Sequence, residues 1–193
     1  MIKLPETLFP SEPAFPEGFA YYPDFISIGE EENLLQMISK TELHTFLFQG
    51  YEAKRKVASF GYDWNFERKT LSKGKQIPTA FDFLIERVAD QISVSKKSIA
   101  ELLITEYPAD AVINWHRDAP PFDIIAGISL LSNCIFKLRP YDKTKQKRSA
   151  VISLPVNKRS LYIIKDKARS EWEHSITAVK QTRFSITWRA RVR

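Results

Sequence analysis

Three histidines occur in the chain, His44, His116 and His174. Imidazole is a common ligand for transition metals and titrates near neutral pH, so the place of each matters. His116 opens the triplet His116-Arg117-Asp118. Residues two apart on a strand face the same side, so this imidazole and this carboxylate can reach one point. His174 lies 56 residues beyond Asp118, room for several strands to run out and back, and no other histidine follows the triplet. Two imidazoles and one carboxylate make a facial triad with three open positions on Fe(II), the arrangement that binds an oxo acid and O2. For the triplet alone, a strand-end histidine hydrogen-bonded to a neighbouring aspartate is the plain alternative. His44 is expected to be a surface or capping residue near a helix end.

The C-terminal stretch carries a second chemical signal. Arg183, Ser185, Thr187 and Arg189 are polar, and the intervening Phe184, Ile186, Trp188 and Ala190 are apolar. That alternation is a strand with two unlike faces, and a polar face turned to water would be its ordinary explanation. Arg183 and Arg189 stand six residues apart, about 20 Å on an extended strand. With both side chains reaching inward, the remaining gap suits a five-carbon dicarboxylate. Arginine recognises carboxylates in a bidentate way and keeps its charge when buried.

Several elements are needed to bring these groups together. The segment from Gly29 starts with acidic residues and then spaces Leu34, Leu35 and Ile38 as a helix would. Acids suit a helix N-terminus. After Pro78, the residues Phe81, Leu84, Ile85, Val88 and Ile92 follow the spacing of one buried helical face. From Leu102 onward about eight short apolar runs separated by turn signals predict a β-sandwich or jelly roll, and helices followed by strands give an α+β layout. Between the helices, Phe60, Tyr62, Trp64 and Phe66 recur at every second residue, so one strand would point all four the same way. Basic residues flank them: Lys54, Arg55, Lys56, Arg68, Lys69, Lys73 and Lys75. Four aromatics on one face of a strand are more often packed core than a binding surface. A second basic cluster, Lys143, Lys145, Lys147 and Arg148, reads equally well as a solvated loop.

Composition bounds the rest. A chain of 193 residues with 44% hydrophobic content supports one good core and excludes disorder. We expect a single domain: an arm at 1–18, helices and a substrate-recognition lid at 19–100, and a catalytic core at 101–193. One cysteine, Cys134, excludes an intrachain disulfide and a multi-cysteine zinc site, and a core position is expected for it. No apolar run approaches the roughly 18 residues of a membrane span, and the N-terminus lacks a secretory h-region. The expectation is a soluble, intracellular (cytoplasmic) monomer with no membrane partner. The net charge of +6 permits a polyanionic partner without requiring one.

A metal triad followed by a dicarboxylate-binding strand resembles the AlkB family of Fe(II)/2-oxoglutarate dioxygenases. The resemblance is carried by Trp115-His116-Arg117-Asp118, Gly127-Ile128-Ser129-Leu130 and Arg159-Ser160-Leu161-Tyr162. It continues through residues 168–176, with Trp172 and His174, and through the Arg-x-Ser-x-Thr-x-Arg strand. It covers residues 100–193 well and is looser before that. It implies a double-stranded β-helix, with His116, Asp118 and His174 as iron ligands and no catalytic residue beyond them. Arg183 would take the distal carboxylate of 2-oxoglutarate and Arg189 would sit near the metal-side carboxylate. Tyr107, Ser185 and Thr187 would complete the pocket. Implied cofactors are Fe(II), 2-oxoglutarate and O2. The implied substrate is an N-methylated base in nucleic acid, methylated single-stranded DNA or RNA, released as free base and formaldehyde. Tyr62, Trp64, Trp115 and Arg117 are the candidate substrate contacts.

The sequence departs from the family pattern at Thr105, Ser185 and Ala119, and at Pro108-Ala109-Asp110. These bear on substrate identity more than on iron chemistry. Two rivals stand beside this reading: the same iron chemistry on a protein side chain or a specific RNA base, and a basic nucleic-acid-binding module that holds no metal.

Overall fold

The computed structural model describes residues 15–48 and 50–192. Most of the expected arm, residues 1–14, therefore lies outside the described residues. The described chain runs β1 (Phe19–Tyr22), α1 (Ile28–Ser39), β2 (His44–Phe48), β3 (Tyr51–Asn65), β4 (Thr70–Lys73) and α2 (Asp82–Gln91). It continues through β5 (Ile99–Tyr107), β6 (Ile113–His116), β7 (Ile124–Leu130), β8 (Cys134–Pro140), β9 (Ile152–Val156) and β10 (Leu161–Ile164). It ends with α3 (Asp166–Ser170), β11 (Trp172–Ile176) and β12 (Arg183–Ala190).

Local chemistry explains the helices. Ser27 caps α1 by accepting from the Glu30 N–H while the Glu30 carboxylate accepts from the Ser27 N–H, a reciprocal capping box. A 3-10 turn, Thr79–Phe81, leads into α2, with Pro78 just ahead of it at φ −64. Leu34 and Ile38 of α1 and Leu84, Ile85 and Val88 of α2 are buried as their spacing predicts.

The strands form two antiparallel sheets. The larger runs β1-β10-β7-β12-β5-β3-β2, with β4 paired to β3, and the smaller runs β6-β11-β8-β9. One face of the large sheet packs on α1 and α2 through Leu102, Ile104, Ile128, Ile186 and Trp188. The other face meets the small sheet across a second core that includes Tyr107, Ile125, Phe136, Leu138, Tyr162 and Ile176. This is a jelly roll with helices bracing one sheet. The alternation in β12 therefore serves two buried faces: Arg183, Ser185 and Thr187 lie buried between the sheets and not in water.

The aromatic stripe departs from expectation. Phe60 packs on the helix side of the sheet, whereas Tyr62 and Trp64 pack toward the inter-sheet core. Gly61 lies between them at φ +89, which breaks the alternation. A Cβ there would stand 2.2 Å from the Ala100 carbonyl oxygen, so close approach also demands glycine. Phe66 lies past the end of β3 and is exposed. His44 begins β2 and is exposed, and so is not a cap on α1. Cys134 is buried in the inter-sheet core.

Candidate metal centre

His116 ends β6 and His174 lies in the middle of β11, and the two are register partners. Their ring centroids are 4.3 Å apart. Between His116↔His174 and Ile113↔Ile176 the register shifts by one, so β6 carries an extra residue there. The bulge lets both Ile113 and His116 face inward. His116 Nδ1 is 2.8 Å from the Asn114 carbonyl oxygen. A carbonyl can only accept, so Nδ1 is the donor in this contact, and Nε2 is the nitrogen that remains to meet a metal. The His174 ring stacks on Phe136 at 5.1 Å, and its Nε2 is 3.5 Å from Asp118 Oδ2.

Asp118 follows β6 in a loop tied down by α3. Arg169 donates from Nη2 to the carbonyls of Asp118 and Ala119 and from Nε to that of Phe122. One ligand atom from each of His116, Asp118 and His174 lies within 4.8 Å of the others, a spacing that one ion could bridge. Burial lowers the His174 imidazole to about 3, and the nearby His116 acts in the same direction. Burial alone would raise the Asp118 carboxyl, but Arg189, His174 and His116 together hold it well below the usual carboxylate range. Asp118 is therefore ionised and His174 neutral at neutral pH, the protonation states a metal requires.

Two arginines of β12 flank this cluster in unlike ways. Arg189 donates from Nη1 to Glu101 Oε2 at 2.9 Å and from Nη2 to Asp118 Oδ1 at 2.6 Å. Its terminal nitrogens are thus taken up by carboxylates of the chain itself. Arg183 is fully buried, gives Nε to Ser129 Oγ at 2.9 Å, and lies 4.8 Å from the centre of the Tyr107 ring. Its Nη1 and Nη2 are buried and find no acceptor among the described residues. A buried guanidinium with two idle donors is out of place without an anion, and a carboxylate satisfies both at once. The donor set and this idle fork fit an iron centre with a dicarboxylate beside it.

Tyr107 lies 3.4 Å, hydroxyl to hydroxyl, from Ser185. The Tyr162 phenol, pushed up by burial, accepts support from Thr187 two strands away. It reaches there by crossing β7 at Gly127, where a Cβ would stand 2.3 Å from the Tyr162 ring. Sequence reasoning missed Tyr162, Ser129 and Glu101 as members of this pocket. A lone glycine inside the apolar run of β7 was the available signal for close approach. Glu101 left only the oddity of an acid in an otherwise buried strand.

The candidate substrate contacts separate. Tyr62 and Trp64 stand on the β3–β4 hairpin, which leaves the large sheet after Gly61. Arg117 is exposed at the rim, stacked 3.7 Å over the Tyr141 ring and donating to the Ser170 carbonyl. Trp115 does not line the site. It stacks at 4.3 Å on Arg139, the register partner of Glu173, one residue out of phase with the inward-facing His174. As the immediate neighbour of inward-facing His116, it falls on the outer face of the small sheet. Trp172, in phase with His174, packs on the inter-sheet core. Arg55, also unforeseen here, stacks over Phe46 at 4.0 Å; burial pulls its guanidinium down, with Tyr107, Arg189 and Asp118 near enough to act on it.

The chain is similar to known proteins over most of its length. Mouse (Mus musculus) ALKBH8, a tRNA (carboxymethyluridine(34)-5-O)-methyltransferase, is 26% identical over 173 residues, covering 86% of this chain and 25% of that protein. This chain thus spans about a quarter of the ALKBH8 proteins it matches. The uncharacterized protein L905 of Acanthamoeba polyphaga mimivirus is 29% identical over 191 residues, 89% of this chain and 84% of that one. Among solved structures, OsALKBH1 superposes with a TM-score of 0.70 at 13% identity, covering 92% of this chain and 98% of that one. A prolyl-4-hydroxylase from Pseudomonas putida follows at 0.62 and 13%, covering 90% and 92%. The model of the 2OG-Fe(II) oxygenase superfamily matches residues 18–189, and with the His-Asp-His cluster and the ALKBH relatives this makes the chain an AlkB-like member of that superfamily, a dioxygenase that uses Fe(II), 2-oxoglutarate and O2.

Proposed function

We propose that this dioxygenase removes N-methyl groups from nucleic-acid bases, with His116, Asp118 and His174 as its iron ligands. The observation that carries the proposal is the convergence of those three ligand atoms within 4.8 Å beside the idle fork of buried Arg183. Iron, 2-oxoglutarate and O2 supply the oxidising power, and hydroxylation of an N-methyl group leaves free base and formaldehyde. The chain supplies position and charge. Arg183 takes the distal carboxylate of 2-oxoglutarate, with Tyr107, Ser185 and Thr187 walling the pocket. Arg189 orients Asp118. Tyr62 and Trp64 offer flat faces to a base drawn from its stack, and exposed cations such as Arg117 track the backbone. The resemblance to ALKBH proteins supports nucleic acid as the substrate class.

The test is anaerobic reconstitution with Fe(II) and 2-oxoglutarate, followed by O2 and a panel of methylated DNA and RNA oligonucleotides, with succinate and formaldehyde measured together. Equimolar formation of both on a methylated oligonucleotide, abolished in His174→Ala, is the expected result. Turnover that survives His174→Ala would overturn the ligand assignment. A second reading, oxidation of a tRNA wobble uridine, is favoured by the ALKBH8 match over 86% of the chain. It predicts succinate without formaldehyde when tRNA replaces the methylated oligonucleotides. Among the described residues no helix is long and apolar enough to cross a membrane.

A further inference from the structure

Glu101 is an acid on β5, buried to 3% exposure at the inter-sheet face of a strand otherwise made largely of apolar residues. Burying a carboxylate is costly unless every oxygen is answered. Here both are. Ser59 on β3 donates its hydroxyl to Oε1 at 2.9 Å, and Arg189 donates Nη1 to Oε2 at 2.9 Å. The sheet builds the second contact in, because Arg189 and Glu101 are register partners. The same guanidinium then donates Nη2 to Asp118 Oδ1, leaving Oδ2 as the oxygen nearest His174 Nε2, at 3.5 Å.

The chain Ser59–Glu101–Arg189–Asp118 has an electrostatic consequence. An arginine on a metal-binding carboxylate draws off the negative charge that attracts a cation. Asp118 and Arg189 together sum to zero, and Glu101 sets a carboxylate against the guanidinium charge; burial pushes its carboxyl up, and Arg189 and the Ser59 hydroxyl act against that. Glu101 also locks the arginine, and through it the rotation of the Asp118 carboxylate. We infer that Glu101 is a positioning residue of the metal centre, acting through Arg189 to present Asp118 Oδ2 to the iron and to offset the guanidinium charge. This rests on the reading of His116, Asp118 and His174 as ligands.

The experiment is titration of the metal-free chain with Co(II), following the visible absorption of the bound ion, with thermal unfolding of the same metal-free samples. Glu101→Gln keeps the shape but not the charge: its amide oxygen can still accept from Arg189, while its amide nitrogen must donate to the Ser59 hydroxyl oxygen. It should bind Co(II) about 10- to 100-fold more weakly, with an altered spectrum, as loss of a partner behind a metal ligand does elsewhere. Glu101→Asp, which returns the charge, should recover part of that affinity. Affinity within about twofold of the parent chain and an unchanged spectrum in Glu101→Gln would overturn the inference, whatever the unfolding midpoint. If Glu101→Gln does not fold, Glu101→Asp decides, since its drawn-back carboxylate must shift the spectrum or weaken binding, and an unaltered titration overturns the idea. His174→Ala separates the two levels. If it binds Co(II) like the parent, or if the parent binds none, the ligand assignment falls and this inference with it. If it loses Co(II) while Glu101→Gln keeps it, only the role of Glu101 falls.

Discussion

Replacing Arg183 by methionine should move two measurements in opposite directions. In the chain without 2-oxoglutarate, the guanidinium is fully buried with Nη1 and Nη2 unanswered, its partners being the Ser129 hydroxyl and the Tyr107 ring. Exchanging buried ion pairs for apolar side chains of similar volume is often neutral or stabilising by about 1–4 kcal/mol, and a buried charge without a counter-ion has less Coulombic attraction to lose. Loss of the contact with Tyr107 returns roughly 0.5–2 kcal/mol. The ligand-free Arg183→Met chain should therefore be as stable as the parent, or more stable by about 1–2 kcal/mol. Binding should suffer. Two charge-assisted hydrogen bonds to a carboxylate, at about 1.5–3 kcal/mol each, place the loss near 3–6 kcal/mol. That is about 10²- to 10⁴-fold in the Kd for 2-oxoglutarate at roughly 1.4 kcal/mol per decade. Denaturant unfolding of the ligand-free chain and calorimetric titration of 2-oxoglutarate in the presence of Mn(II) read the two halves. Retention of 2-oxoglutarate affinity to within about tenfold would refute the assignment of the distal carboxylate. Destabilisation of the ligand-free chain by more than about 1 kcal/mol would show that the idle fork is satisfied in some other way.

Three further outcomes follow from the same geometry. Gly127→Ala puts a Cβ 2.3 Å from the Tyr162 ring, so the ring must leave its place. About 1–3 kcal/mol of stability should be lost on chemical denaturation, and 2-oxoglutarate should bind more weakly. His174, at about 3 when folded and 6.5 when unfolded, takes up a proton on unfolding between those values. Stability of the metal-free chain should fall as pH drops through that window, by up to about 1.4 kcal/mol per pH unit. His174→Gln should flatten the slope above pH 3.8, the ordinary Asp118 value, and an unaltered slope would contradict the burial argument. The Ser27 backbone N–H chiefly, with Arg87 and the Ser27 hydroxyl assisting, lowers the Glu30 carboxyl from 4.5. Its contribution to stability is therefore complete above that pH and fades as pH falls through the lowered value. Glu30→Gln should cost up to about 1 kcal/mol at neutral pH, with the difference from the parent vanishing in acid.

Much of the fold was legible because it is written in local periodicity. Leu34 and Ile38, and Leu84, Ile85 and Val88, announce buried helical faces by spacing alone. The alternation of Arg183 to Ala190 announces a strand with two unlike faces. It could not say that both faces are buried, because that depends on a second sheet that the strand itself does not contain. The aromatic stripe misled for a similar reason. Period two holds only while the backbone stays extended, and Gly61 at φ +89 turns Tyr62 and Trp64 away from the side that Phe60 takes. Trp115 is different: alternation beside an inward-facing His116 already puts it on the opposite face, whereas the bulge that turns Ile113 and His116 the same way shows only once β6 has a partner.

Residue type and short-range spacing determined which groups could bind a metal and a dicarboxylate, and where helices and strands begin. Tertiary structure alone decided which partner each of those groups meets. His116 opposite His174, Arg189 opposite Glu101, and Tyr162 lying over Gly127 are all matters of cross-strand register. Register joins residues far apart in the chain through hydrogen bonds that any backbone can make. No local pattern encodes it, and it emerges only when the two hydrophobic cores choose the one alignment that buries both.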